Sequence, residues 1–195
     1  MASRKLIILF IVIEIVIIVL AFLTEGNSLG ALQTITRFSG SLSLFLFSAI
    51  FLLYNKPYTI TAWLSHRFYL IFAIVHGIHL AELLTFVYLA NIELVPHRLA
   101  GGFIAYLFVF AMPFLQSFNM RGQISNRTYA ILETIFVYYV WLVFFLTYLP
   151  RVQGKIPIAG GSFAEHVALL GWVSTLLGMK LSAMIQFQKK KINWF

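Results

Sequence analysis

Apolar residues run in six stretches, at about 5–23, 35–54, 64–90, 99–118, 129–149 and 164–187, each close to the roughly 20 residues that a helix needs to cross a bilayer. The breaks between them read EGNSLG, NKP, ELVPHR, NMRGQISNR and PRVQGKIPIAGG, rich in the Gly, Pro, Asn and charged residues that end helices and form turns. None of these breaks is long enough to hold a soluble domain. The pattern predicts an all-α, polytopic membrane protein: one domain over residues 1–195, with six transmembrane helices in a single bundle. The first run has the basic start of a secretory signal, but it is longer than a signal core and reads as a membrane helix.

Composition agrees with that reading. Only 10% of residues are charged, against about 25% in soluble domains, and the mean hydropathy is +0.92. The formal charge of +8 would point to nucleic acid in a soluble domain. Here the basic residues sit in short connections and near the ends, so the lipid bilayer and its anionic headgroups are the expected partners, and nucleic acid is not. Arg4, Lys5, Lys56, Arg67, Arg121, Arg127, Lys189, Lys190 and Lys191 fall on the side of the termini, whereas Arg37, Arg98, Arg151 and Lys155 fall on the other. The bias puts both termini in the cytoplasm, which suits a bacterial inner membrane or its organellar equivalent. The absence of cysteine excludes disulfides and an iron–sulfur cluster ligated by this chain.

The charges inside the apolar runs are the informative ones, because polar groups in hydrocarbon are costly and ask for a partner or a task. In the third run His76, His79 and Glu82 succeed one another at three-residue steps and share one helical face. Glu14 sits at the middle of the first run, where a lone carboxylate must find a partner or give up its charge. Glu133 and Lys180 fall at similar depths in the fifth and sixth runs, and that placement predicts an ion pair between them.

Several chemistries fit such a face. A bis-histidine haem needs imidazoles at matching depth on two helices. The other histidines are His66 and His97 near helix ends and His166, about 12 Å shallower than His79 by the helical rise. One histidine, His76 or His79, would be enough for five-coordinate haem b or for a chlorophyll-type pigment. The alternative is structural: histidines hydrogen-bonded to neighbouring helices through Glu14, Glu82 or a serine of helix two. Proton relay through the carboxylates and histidines is a further option. Gly40 with Ser39, Ser41 and Ser43, and Gly101 with Gly102, read as close helix contacts, and Pro113 as a kink. Glu93, His97, Glu165 and His166 gather near the outer surface without a known metal-ligand spacing, so no metal site is assigned. No phosphate-binding glycine loop, activated nucleophile or soluble cofactor domain is present in the pattern, so no catalytic residues are assigned and an independent enzyme is not expected.

Three segments, TRFSGSLSLFLFSAIFLL, HRFYLIFAIVHGIHL and PHRLAGGFIAYLFVFAMPFLQSF, follow one another as helices two, three and four. In this order the stretch from Thr36 to Pro150 resembles the ferric-reductase-like transmembrane domain, and most closely its small six-helix form, the haem-binding membrane subunit of the bacterial methionine sulfoxide reductase system. The resemblance implies haem b held between histidines of helices three and five, with electrons crossing the membrane. His79, or His76 a turn earlier, stands at the helix-three position. Helix five departs from the family: Glu133 and a position near Leu146 stand where its histidines would be, and neither side chain replaces imidazole.

Three expectations follow. The first is a membrane subunit of a larger redox or energy-converting assembly, with redox partner subunits and without the usual haem pair. The second is an electron carrier or pigment binder using His76 or His79. The third is a small proton or ion transporter using Glu14, Glu82 and the histidine pair.

Overall fold

The computed structural model describes residues 2–54, 68–93, 96–156 and 160–192, with side chains for 4–54, 68–93, 100–156 and 160–183. Lys56, His66, Arg67, His97, Arg98 and Lys189 to Lys191 lie outside the residues or side chains so described. Among the described residues every regular element is an α-helix: α1 Ala2–Glu25, α2 Ser28–Leu53, α3 Phe68–Leu89, α4 Pro96–Met120, α5 Asn126–Val152 and α6 Phe163–Ile192. All six contain a stretch long and apolar enough to cross a membrane.

Two of the helix ends that differ from the hydropathy pattern matter for the site. The α2 helix begins at Ser28 rather than near residue 35, because the turn after α1 is tight. Gly26 takes a left-handed φ of 65°, and the Asn27 side chain accepts a hydrogen bond from the Gly30 N–H at 2.6 Å. This is an N-cap that starts the helix at once. The α5 helix continues through Pro150 to Val152 and then stops through Gly154 at φ 69°. Arg151, beyond the end expected at 149, therefore belongs to a helix.

The α2 helix packs against α1, α3, α5 and α6, whereas α4 packs on α3 and α5. In the membrane-spanning stretch of α2 56% of positions are buried, against 11% in α1, so α2 is the centre and α1 a peripheral helix. The two α1 side chains with least exposure are Ala21, which meets Ala31 and Ile35 of α2, and Glu14. Small residues on α2 permit this crowding: Ala31, Ser39 and Ser43 are fully buried. Indole N–H groups tie the helices together, Trp172 to Ser48 Oγ and Trp141 to the Val173 carbonyl, each at 2.9 Å.

The core is aromatic. Phe47, Phe51, Phe72 and Phe136 are fully buried, and the Phe47 ring lies 5.8 Å from Phe72, 6.4 Å from Phe136 and 5.4 Å from Phe144 between centroids. Gly101 receives the Tyr139 hydroxyl on its carbonyl at 3.0 Å, but Gly102 has open space beside it and makes no close helix contact. Pro113 lies inside α4, and with Gly77 it borders an apolar groove of about 690 Å³ between α3 and α4.

Candidate functional site

The polar groups inside the helices form two layers. One lies toward the turns that join α1 to α2 and α5 to α6. The other lies toward the opposite end, where α2 stops and α3 and α5 begin. The phenylalanine core separates them.

The first layer is built on the α3 face anticipated by spacing. Ser39 Oγ of α2 and His79 Nδ1 are 3.0 Å apart and share one hydrogen bond, its donor set by the imidazole tautomer. The bare Cα of Gly40 faces the other edge of the same ring: a Cβ there would stand 3.0 Å from Cε1 and 3.4 Å from Nε2. Of the partners expected for the histidines, the serine of α2 is the one engaged. His76 is 8% exposed and stacked between Phe72 (centroids 5.2 Å, planes 19° apart) and Tyr106 (4.7 Å, 21°), with His79 5.5 Å away and Nδ1 without a hydrogen-bond partner.

Two carboxylates complete the layer. Glu14 is 2% exposed, and neither of its oxygens has a hydrogen-bond partner among the described residues. It lies close enough to Glu82 for the two charges to interact across α1 and α3. Glu82 lies beside Ser39, yet neither of its oxygens meets hydrogen-bond geometry. Four carboxylate oxygens and one imidazole nitrogen are thus buried and unpartnered within one seam, in a part of the chain that hydrocarbon would surround.

The same layer contains two arginines, Arg37 and Arg151. Arg37 Nε is 3.2 Å from Glu165 Oε1. Arg151 lies over the Tyr148 ring at 5.5 Å and interacts electrostatically with Glu165 and with His79. Tyr148 and Arg151 stand three apart on α5, a spacing that pointed to one shared face once the helix was known to run that far. His166 Nε2 is 3.0 Å from the Gly160 carbonyl. Arg37 holds Glu165 and Glu93 is exposed, and no group of three metal-ligating side chains occurs among the described residues, outside which the His97 side chain lies.

The second layer holds Glu133 and Lys180. Glu133 Oε1 accepts hydrogen bonds from Tyr69 (2.5 Å) and Tyr129 (3.1 Å), while the Lys180 ammonium donates to the carbonyls of Phe51 (3.1 Å) and Tyr54. Tyr69 ties Glu133 to α3, and Lys180 reaches the end of α2, where the last carbonyls of a helix attract a cation. A short hydrogen bond joins the hydroxyls of Tyr54 and Thr134 in the same layer.

The residues present do not fit a bis-histidine haem. Such a haem needs two imidazoles at matching depth on facing helices. The α5 ring beside His76 is that of Phe144, 5.9 Å away between centroids. On α5 Glu133 is occupied by two tyrosines, Leu146 is 52% exposed and faces outward, and phenylalanines fill the interior between α3 and α5.

Compared with protein-family models, curated proteins and solved structures, the chain matches none. Function must be read from the site itself.

Proposed function

We propose that the chain is a proton-handling subunit of a larger redox or energy-converting membrane assembly, and that protons move along the seam of α1, α2 and α3 built from Glu14, Glu82, Ser39, His79 and His76. The observation that carries the proposal is the approach of two buried carboxylates, Glu14 and Glu82, neither hydrogen-bonded to protein. Leaving such groups dry costs several kcal/mol each by transfer estimates, so waters and exchangeable protons are the natural partners. Carboxyl and imidazole groups in sequence are also what intramembrane proton paths are made of. A single bundle with both termini on the basic, cytoplasmic side of a bacterial inner membrane or its organellar equivalent completes the proposal. The order of segments, with its likeness to ferric-reductase-like domains, supports a place in such an assembly; haem and pigment ligation are not part of it.

The test is infrared difference spectroscopy of the protein in lipid. The carboxylic C=O band should shift when H2O is replaced by D2O, and Glu14→Gln and Glu82→Gln should each remove part of the shifting intensity. A band that neither exchanges nor responds to either substitution would overturn the proposal.

A further inference from the structure

Tyr69, Phe72, His76 and His79 lie at i, i+3, i+7 and i+10 on α3, which puts all four on one stripe of the helix. Tyr69 belongs to the layer of Glu133, and the two histidines to the layer of Glu14 and Glu82. Between them stands one side chain of that stripe, Phe72, which is fully buried. Its ring stacks on His76, lies 6.5 Å from Phe136 and 5.8 Å from Phe47, and Phe136 in turn meets Tyr69 at 5.6 Å. Seven residues of helix rise separate Tyr69 from His76 by about 10 Å, a gap that a short file of waters would span if Phe72 were out of the way.

We infer that Phe72, walled by Phe47 and Phe136, is a dry gate between two polar half-paths, and that Glu133 with Tyr69 and Tyr129 is the proton-exchanging group on the far side of it. The inference rests on the proton-handling reading of the seam and adds a second terminus and a barrier to it. Glu133 suits that role chemically. Its carboxylate gathers two phenolic O–H groups on one oxygen, so it can take a proton there and become the acid while both tyrosines keep theirs. With the gate open the acid gives that proton to the water file, which delivers one to an imidazole nitrogen of His76. His76 then releases the proton from its other nitrogen toward His79. No electron moves: Glu133 returns to the carboxylate, His79 passes the proton on along the seam, and His76 ends in its other tautomer and must turn its ring before the next transfer. With the gate closed, the three phenylalanine rings exclude the water that the transfer needs, as apolar constrictions do in channels that close by dewetting. The resting chain therefore holds both half-paths without leaking.

The experiment uses the full chain in liposomes with an internal pH dye and an imposed potassium diffusion potential. The wild type should pass protons no faster than protein-free liposomes, and Phe72→Ala should raise the rate on the order of ten-fold by opening the constriction. Phe72→Leu keeps most of the volume without the flat ring and should give a smaller rise of the same kind. Adding Glu133→Gln, or Glu82→Gln, to either variant should return the rate to baseline. The inference is overturned if both Phe72 variants, folded by circular dichroism and size exclusion, stay at baseline, or if the leak ignores Glu133→Gln. The two readings fail separately. An exchangeable carboxyl band sensitive to Glu14 and Glu82 with a dry Phe72→Ala sinks only the gate, and a leak dependent on Glu133 but not on Glu82, with no exchangeable band, sinks the seam.

Discussion

The imidazole of His79 lies against the bare Cα of Gly40, so close that a single methyl group on α2 would come within 3.0 Å of Cε1. Glycine here is a packing requirement between two helices, unlike Gly26, where it is a conformational one. Gly40→Ala should push the ring away and weaken its hydrogen bond to Ser39, at a cost of about 1–3 kcal/mol, typical of overpacking. Ser39→Ala should cost less, about 0.6 kcal/mol by the average for intramembrane hydrogen bonds. The double substitution should cost less than the two single costs added, because both act on one contact. Unfolding in mixed detergent measures all three, and strict additivity would show that Gly40 and Ser39 do not share His79.

Tyr69 and Tyr129 converge on the same oxygen of Glu133, but not equally, at 2.5 and 3.1 Å. Tyr69→Phe should therefore destabilise the fold more than Tyr129→Phe, by about 1–3 kcal/mol for a charged acceptor stripped of its better donor. Glu133→Gln should lower the difference between the two tyrosine variants, since an amide oxygen is a weaker acceptor than a carboxylate. Thermal or detergent unfolding of Tyr69→Phe, Tyr129→Phe, Glu133→Gln and the two tyrosine–glutamine double variants gives the ranking; equal costs for the two tyrosines would refute it.

The sequence pattern located these groups in depth but not in direction around the helix axis. Six spans were legible because about 20 apolar residues in a row have little alternative to crossing a membrane. The stripe of His76, His79 and Glu82 was legible because three-residue steps on one helix fix a common face. Glu133 and Lys180 were at matching depth, but depth does not show that Tyr69 and Tyr129 donate to the first or that the carbonyls of Phe51 and Tyr54 accept from the second. Arg151 was hidden by a helix end: hydropathy does not see the last turn of α5 running through Pro150. Phe72 carried no signal as a phenylalanine among twenty, and gained meaning only when polar groups were found on both sides of it on one stripe.

Lys180 closes the end of α2, with its ammonium on the carbonyls of Phe51 and Tyr54 and 4.6 Å from the Tyr54 ring centroid. Lys180→Met removes the charge and the donors but keeps a long apolar chain. It should free the last turn of α2, seen as faster amide hydrogen exchange there, at about 1–3 kcal/mol for carbonyls left without donors. Lys180→Arg keeps charge and donors and should restore most of the protection. Unchanged exchange in Lys180→Met would mean that the cap carries no weight.

Restoring a histidine at the helix-five position tests whether this fold has room for the cofactor its segment order resembles. Glu133→His supplies the imidazole but also strands the Tyr69 and Tyr129 hydroxyls, and leaves Phe47, Phe72 and Phe136 filling the interior. His79 would still present its Nε2 edge to Gly40. A haem between α3 and α5 would have to displace at least two of those buried rings, and emptying a core of one phenylalanine already costs about 3–5 kcal/mol. Glu133→His alone should therefore bind no stoichiometric low-spin haem when hemin is added and the absorption spectrum recorded. Glu133→His combined with Phe72→Ala and Phe136→Ala should bind none either, because position 133 stands with Tyr69, about 10 Å of helix rise from His76, and the α5 side chain at the depth of His76 is Phe144. Full bis-histidine haem in Glu133→His alone would show that the phenylalanine core yields easily. The same result would remove the physical basis for treating Phe72 as a barrier.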